Sequence, residues 1–156
     1  EERIRAQPRS RGLGDVYKRQ EKHSMERAVF PEIAKNGKMA GLEFKGYFVD
    51  AGTPSSFIEA VKVCISNKRF EIGSIHDKHT WISDKVLIDE PFQITGSSIS
   101  NNVSIGKGCE ILDCVILSGA KIGEGCKLQR CLIGESSIIK AGSVVSDKVI
   151  GHGEIV

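Results

Sequence analysis

The chain has 156 residues, of which 40% are hydrophobic, 27% charged and 6% aromatic, and no apolar run approaches the roughly 18 residues that a membrane span requires. The net charge of +2 comes from residues 1–20, which carry six basic and three acidic side chains and leave residues 21–156 with 16 basic and 17 acidic ones. The sequence therefore predicts a globular protein that binds neither nucleic acid nor membrane.

Residues 1–20 are rich in arginine and show neither the 3.6-residue period of a helix nor the 2-residue period of a strand. This composition predicts a disordered leader. Residues 15–20, with the sequence DVYKRQ, also resemble translated sequencing-adaptor DNA. We therefore interpret residues 1–20 as an artefact outside the fold and expect the native protein to continue upstream of Glu21.

Residues 21–70 are predicted to form a helix, two strands and a second helix. Ser24 is the predicted cap of the first helix and Thr53 that of the second, which has a proline in its first turn. Residues 39–44 and 47–50 are the predicted strands. About 50 residues are too few for a core of their own, so we expect this segment to be the end of a larger α/β domain.

Residues 81–156 follow a 17-residue repeat, in which aliphatic residues recur after six, six and five positions. The three columns are Ile82, Ile99, Ile116, Ile133 and Ile150; Ile88, Ile105, Ile122 and Ile139; and Ile94, Ile111, Leu128 and Val145. Three apolar positions in 17 residues predict a three-sided parallel β-solenoid of about four coils. The preceding residues, 71–80, are predicted to be a linker in which His76 and His79 are exposed to solvent.

A smaller residue four positions after each column member is also expected to point inward. These residues are Val86, Val103, Ala120 and Ser137; Phe92, Cys109, Cys126 and Ser143; and Ser98, Val115, Leu132 and Val149. Cys109 and Cys126 are one repeat apart, as are Cys114 and Cys131, and we favour small side chains in equivalent slots over a disulfide or a soft-metal site. Cys64 is predicted to be a core residue of the second helix. With no Cys-x-x-Cys pair, the five cysteines predict reduced thiols in a cytoplasmic protein.

Two sets of motifs resemble known families. The repeat Ile105-Gly106-Lys107-Gly108-Cys109 is similar to the hexapeptide-repeat left-handed β-helix proteins, which implies a left-handed coil. Residues 24–34 (SMERAVFPEIA) and 44–54 (FKGYFVDAGTP) resemble the closing stretch of the sugar-1-phosphate nucleotidylyltransferases, most closely the mannose-1-phosphate guanylyltransferase-like branch. The resemblance covers residues 21–156 and implies a mainly β fold, in which a truncated α/β nucleotidyltransferase remnant precedes a left-handed β-helix.

The resemblance implies an enzyme that makes an NDP-sugar, GDP-mannose-like, and pyrophosphate from a sugar 1-phosphate and an NTP, with Mg²⁺ as cofactor. Asp50 matches the family's metal-binding aspartate, and the alternative is an aspartate that binds the turn amides near Gly52. Glu26 matches the family's sugar-binding glutamate, and the alternative is a first-turn glutamate favoured by the helix dipole. No catalytic residue is assigned within this chain.

The family's glycine-rich nucleotide loop, its catalytic lysine and its first metal-binding aspartate have no counterpart in these 156 residues, so we expect the chain alone to be inactive. The β-helix is expected to serve assembly or regulation, through homo-oligomer contacts at its open ends. Two alternatives remain. One is a hexapeptide-repeat acyltransferase, for which His152 is the histidine within the coils; the other is a non-catalytic pyrophosphorylase-like regulatory or scaffold subunit.

Overall fold

The computed structural model describes residues 24–69 and 73–156, without the side chains of residues 74–76. The predicted leader, residues 1–20, and the side chain of His76 therefore lie outside the described residues. The chain divides into two compact units, Glu1–Gly46 and Tyr47–Val156. Within the described ranges, no helix is long and apolar enough to cross a membrane.

The described part of the first unit is helical at its start. A π-helical turn, Met25–Val29, leads into helix α1, Phe30–Lys35. The Ser24 hydroxyl accepts a hydrogen bond from the Arg27 amide at 3.2 Å, which confirms the predicted cap. No residue between 24 and 46 is buried.

The two strands predicted at residues 39–44 and 47–50 do not form. The structure assigns neither segment to a strand, and Phe44, Tyr47 and Phe48 are exposed. A strand needs a neighbouring strand to satisfy its backbone amides and carbonyls, and no described strand pairs with these residues. Their apolar pattern alone was therefore a misleading signal.

Helix α2, Pro54–Ser66, is the first helix of the second unit and precedes the solenoid. Thr53 and Ser56 cap α2 reciprocally, since the Thr53 hydroxyl accepts from the Ser56 amide at 3.2 Å and the Ser56 hydroxyl accepts from the Thr53 amide at 3.0 Å. The predicted cap and start of this helix are confirmed. Ile58 and Ile65 form its buried face, whereas Cys64 is exposed, so the prediction of a core cysteine is wrong.

Fourteen short strands build the solenoid and the hairpin that precedes it. They are β1 Ser74–Asp77, β2 Thr80–Ile82, β3 Leu87–Ile88, β4 Phe92–Thr95, β5 Ser98–Ile99, β6 Ser104–Ile105, β7 Cys109–Leu112, β8 Val115–Ile116, β9 Lys121–Ile122, β10 Lys127–Gln129, β11 Leu132–Ile133, β12 Ile138–Ile139, β13 Val144–Ser146 and β14 Val149–Ile150. Sheet 1 has the order β1-β2-β5-β8-β11-β14, sheet 2 is β3-β6-β9-β12, and sheet 3 is β4-β7-β10-β13. Strand β1 is antiparallel to β2, so part of the predicted linker is a hairpin at the edge of sheet 1.

The observed register confirms the predicted 17-residue repeat. Parallel pairing joins Ile82 to Ile99, and the same column continues through every coil to Ile150. The other two columns are aligned in the same way in sheets 2 and 3. Only Ile88 and Ile94, in the first coil, are less than fully buried. The core is therefore a continuous stack of aliphatic side chains along the solenoid axis.

One of the three additional inward sets was placed incorrectly. In sheet 1, Ser98 and Val115 precede the inward isoleucines within their strands and therefore face outward. The inward residues of that side are instead Ser97, Cys114 and Cys131, all buried. The step from the third column to the first is five residues, whereas the other two steps are six. The second inward residue of this side therefore comes three positions after the column member, not four.

Candidate functional site

The turn before α2 holds Asp50, the predicted metal ligand. Its Oδ1 accepts a hydrogen bond from the Gly52 amide at 3.2 Å, and Thr53 then begins the helix cap. This contact is the one expected of an aspartate that stabilises its own turn. The carboxylate is exposed, and the turn contact uses Oδ1 alone, so a metal-binding role stays a prediction.

Glu26 lies in the first turn of the π-helical segment and is exposed. Its position fits the dipole interpretation, and a sugar-binding role stays a prediction. Glu26 belongs to the first compact unit and Asp50 to the second.

Helix α2 lies on the outer face of sheet 1. Its C-terminal end contacts the start of the solenoid, where the Ser66 hydroxyl lies 2.9 Å from His79 Nδ1 and donates to the Lys78 carbonyl at 3.2 Å. Its N-terminal end shares a groove with the Asp147 corner, four coils further on. The 13 residues of α2 rise about 20 Å, close to the height of four coils stacked about 4.8 Å apart. His79, predicted to be a solvated linker residue, is exposed but bonded to the helix.

A row of charged residues follows one corner of the solenoid beside α2. The corner is formed by Gly96, Asp113, Arg130 and Asp147, which are 17 residues apart and all have positive φ, between 50° and 62°. Lys62 of α2 binds Asp113, with 2.5 Å between Nζ and Oδ1. Sequence reasoning missed this pair: the spacing of Lys62 between Ile58 and Ile65 predicts that the lysine lies near the buried face of α2, but it does not identify Asp113 as the partner.

The groove between α2 and this corner has a volume of about 380 Å³. It is lined by Pro54, Ser55, Ile58, Glu59, Lys62, Asp113, Arg130 and Asp147. Arg130 binds Asp147 with two hydrogen bonds, of 2.5 Å from Nε and 2.6 Å from Nη2. This bidentate contact holds the pKa of the Asp147 carboxyl below its usual value. The charges at this corner are therefore paired, Asp113 with Lys62 and Asp147 with Arg130.

A second groove, of about 280 Å³, lies on the part of sheet 1 near the last coils. It is almost entirely apolar and includes Phe57, Leu132, Val149 and His152. His152 Nδ1 accepts a hydrogen bond from the Glu135 amide at 3.0 Å. A neutral imidazole that accepts through Nδ1 carries its proton on Nε2, so in this arrangement His152 presents a donor and no free lone pair.

The four solenoid cysteines are buried and free, as the sequence interpretation favoured. The neighbouring Cys131 side chain and burial together raise the pKa of the Cys114 thiol. Burial likewise raises the pKa of Cys109. The same contact with Cys114 lowers the pKa of the Cys131 thiol, so the pKa argument for an inert thiol holds for Cys109 and Cys114.

The described residues do not by themselves fit a magnesium site. Mg²⁺ requires several oxygen ligands in near-octahedral geometry, and within residues 24–69 and 73–156 no group of three His, Cys, Asp or Glu side chains is placed to hold a metal. Asp50 offers a single carboxylate whose Oδ1 already accepts an amide hydrogen bond.

Comparison with known proteins agrees with the solenoid. Residues 74–156 match the family described as GMPPB C-terminal domain, a sugar-nucleotidyltransferase C-terminal domain of the left-handed β-helix type. No curated protein matches the chain. Among solved structures, it is similar to a mutant of perosamine N-acetyltransferase from Caulobacter crescentus in complex with CoA and GDP-perosamine, at 17% identity and a TM-score of 0.49. That similarity covers 66% of this chain and 57% of the other chain. Because the family match spans more than half of its residues, the protein belongs to the GMPPB C-terminal domain family.

Proposed function

We propose that this chain is the C-terminal part of a sugar-1-phosphate nucleotidylyltransferase. The intact enzyme would make a GDP-mannose-like NDP-sugar and pyrophosphate from a sugar 1-phosphate and an NTP in the cytoplasm. Membership of the GMPPB C-terminal domain family supports the class of enzyme. The two motifs at residues 24–34 and 44–54 support the same class from a part of the chain outside the family match.

The observation that carries this proposal is the packing of α2 on the solenoid. The second motif ends in the cap and first turn of α2, and the same helix buries Ile58 and Ile65. The end of the second motif, within the second unit, is thus held against the solenoid by α2, and the solenoid has a continuous core. The solenoid therefore serves as a platform for the end of the catalytic domain.

Two residues are proposed to act on the substrates of the intact enzyme. Glu26 would accept hydrogen bonds from sugar hydroxyl groups, since an ionised carboxylate is an acceptor only. Asp50 is the one described residue proposed as a ligand of the Mg²⁺ ion. Its carboxylate would help to hold that ion near the phosphates of the substrates. Neither role is assigned a step of the reaction.

The solenoid is further proposed to mediate homo-oligomer assembly. The terminal strands β13 and β14 have a parallel neighbour on one side within the described chain, so their other edges present backbone groups for pairing. The proposal excludes nucleic acid and membrane as partners, in accordance with the balanced charge of residues 21–156.

The acyltransferase alternative is disfavoured by the geometry of His152. A general base needs a free lone pair within reach of the substrate, whereas Nδ1 of His152 accepts from the Glu135 amide. The regulatory or scaffold alternative is decided by activity of the intact enzyme.

The test is release of pyrophosphate from sugar 1-phosphates and NTPs by the intact enzyme and by this chain alone. We expect activity from the intact enzyme and none from the 156-residue chain. An intact enzyme without activity would leave the scaffold alternative, and an active isolated chain would contradict the predicted inactivity.

Asp50→Asn tests the residue without removing its turn contact, because the Asn Oδ1 can still accept from the Gly52 amide. Loss of the charge should lower kcat of the intact enzyme by roughly 100-fold. Asp89→Asn, at an exposed aspartate of the solenoid, is the matched control and should leave kcat unchanged. An active Asp50→Asn enzyme would show that Asp50 only stabilises its turn.

A further inference from the structure

The ion pair between α2 and the solenoid is largely covered by its surroundings. Lys62 lies between Ile58 and Ile65 on the buried face of the helix, and its side chain is only 21% exposed. The Asp113 side chain is 29% exposed. Exposed ion pairs add little to stability because water competes for both charges, and that competition is reduced where both partners are largely covered.

Gly96 provides the space for this ion pair. It occupies the same corner as Asp113, one coil earlier, at a φ of 62°. A Cβ at position 96 would collide with the Asp113 carboxylate and lie 3.3 Å from Lys62 Cε. The Gly96 amide is itself fixed by a hydrogen bond to the buried Thr80 hydroxyl at 2.8 Å. A glycine at position 96 therefore leaves room for the Lys62 side chain to reach Asp113.

Polar contacts with the solenoid are unevenly distributed along α2. Its last residue, Ser66, is bonded to Lys78 and His79. In the part of the chain that the structure describes, Lys62 is the residue nearest the start of the helix that makes such a contact. The hydrogen bonds of Thr53, Ser55 and Ser56 remain within the cap. The direction of the helix start, and of the Asp50 turn before it, therefore depends on the Lys62 pair and on packing of Ile58.

We propose that Lys62 and Asp113 are positioning residues, which hold α2 against the solenoid and thereby orient the Asp50 turn for the reaction. The inference rests on the proposed nucleotidylyltransferase function. Under this proposal the solenoid affects activity, because loss of the ion pair would shift α2 and the Asp50 turn. A displacement of about 1 Å in a substrate-facing group can reduce the rate by up to roughly 100-fold.

The test uses Lys62→Met and a charge swap in the intact enzyme. Methionine keeps the apolar stem of lysine but removes its charge, and we expect kcat to fall about tenfold with KM for the sugar 1-phosphate unchanged. The swap combines Lys62→Glu with Asp113→Arg, and should raise kcat at least about threefold above that of Lys62→Met. The positive φ of position 113 is compatible with arginine, because Arg130 has a φ of 50° at the same corner one coil later. The rescue is expected to be partial, because the new arginine lies near Arg130, which now interacts with Asp113.

Lys127→Met is the matched control, because Lys127 binds Glu110 at 2.8 Å and lines a groove formed by residues of sheet 3. It should leave kcat unchanged. Hydrogen exchange on the 156-residue chain gives a second measurement: Lys62→Met should speed exchange of the α2 amides at least fivefold, and the charge swap should reverse this. Unchanged kcat and exchange in Lys62→Met, or no rescue by the swap, would overturn the inference. A wild-type enzyme without pyrophosphate release would instead reject the proposed function.

Discussion

At one corner of the solenoid, two of three stacked small residues, Ser97, Cys114 and Cys131, accept hydrogen bonds from backbone amides of the next coil. The Ser97 hydroxyl accepts from the Cys114 amide at 2.9 Å, and the Cys114 sulfur accepts from the Cys131 amide at 3.4 Å. Each side chain also donates to the carbonyl two residues before it, as Cys114 does to Leu112 at 3.2 Å. The position therefore requires a side chain that is small and can both donate and accept.

Substitution of Cys114 tests this requirement. Cys114→Ala should lower the free energy of unfolding by about 1–3 kcal/mol, because the buried Cys131 amide loses its acceptor. Cys114→Ser keeps donor and acceptor, as Ser97 does one coil earlier, and should cost about 1 kcal/mol or less. Urea unfolding of the two variants provides the measurement. Equal losses would show that volume alone determines the residue at this corner.

At the residue scale, the sequence predicted the inward aliphatic columns but not the inward positions of Ser97, Cys114 and Cys131. Aliphatic residues at a fixed period are a direct consequence of burial and can be read without a structure. The corner position was missed because one side of the coil is a residue shorter, which changes the inward offset from four to three. The Lys62–Asp113 pair was missed for a different reason: its partners come from separate elements, and nothing local in the sequence specifies their meeting.

Each solenoid strand separates an inward from an outward residue within two to four positions. In β12, Ile138 is 37% exposed and Ile139 is 1% exposed, although they are identical and adjacent. Their pairing with Lys121 and Ile122 of the previous coil shows the same alternation. A comparison of the two isoleucines therefore measures how much burial of one side chain contributes to the free energy of unfolding.

Alanine substitution at the two positions should separate them clearly. Ile139→Ala removes a buried side chain and should lower the free energy of unfolding by about 2–5 kcal/mol. Ile138→Ala removes an outward side chain from the same strand and should cost about 1 kcal/mol or less. Chemical denaturation of both variants, in the same buffer, measures the difference. Similar costs would mean that β12 does not hold the observed register.

At the scale of elements, prediction succeeded where the signal was local. The cap residues Ser24 and Thr53 determine the starts of their helices through contacts three residues away. The failed strands, at residues 39–44 and 47–50, depended on pairing partners elsewhere in the chain, which their own sequence does not describe. The roles of Glu26 and Asp50 likewise depend on residues far away in the chain or outside it. The resemblance therefore predicts these roles, whereas the local structure shows only the contacts of each residue with its own turn.

The whole molecule concentrates its buried side chains in the second unit. Every fully buried residue of the described chain lies between Ile58 and Ile150, and residues 24–46 contribute none. Stability in a solenoid comes from each coil and its contacts with the adjacent coils. The free energy of unfolding should therefore be a property of residues 47–156.

Removal of residues 1–46 tests this directly. We expect residues 47–156 to unfold with a free energy within about 1 kcal/mol of that of the full chain, because the deleted residues that the structure describes bury no side chain. Circular dichroism during urea unfolding measures both proteins, and Ile116→Ala in each background is the control: its cost should be the same, about 2–5 kcal/mol. A markedly less stable 47–156 chain, or a different cost of Ile116→Ala, would show that the first unit contributes to the solenoid core.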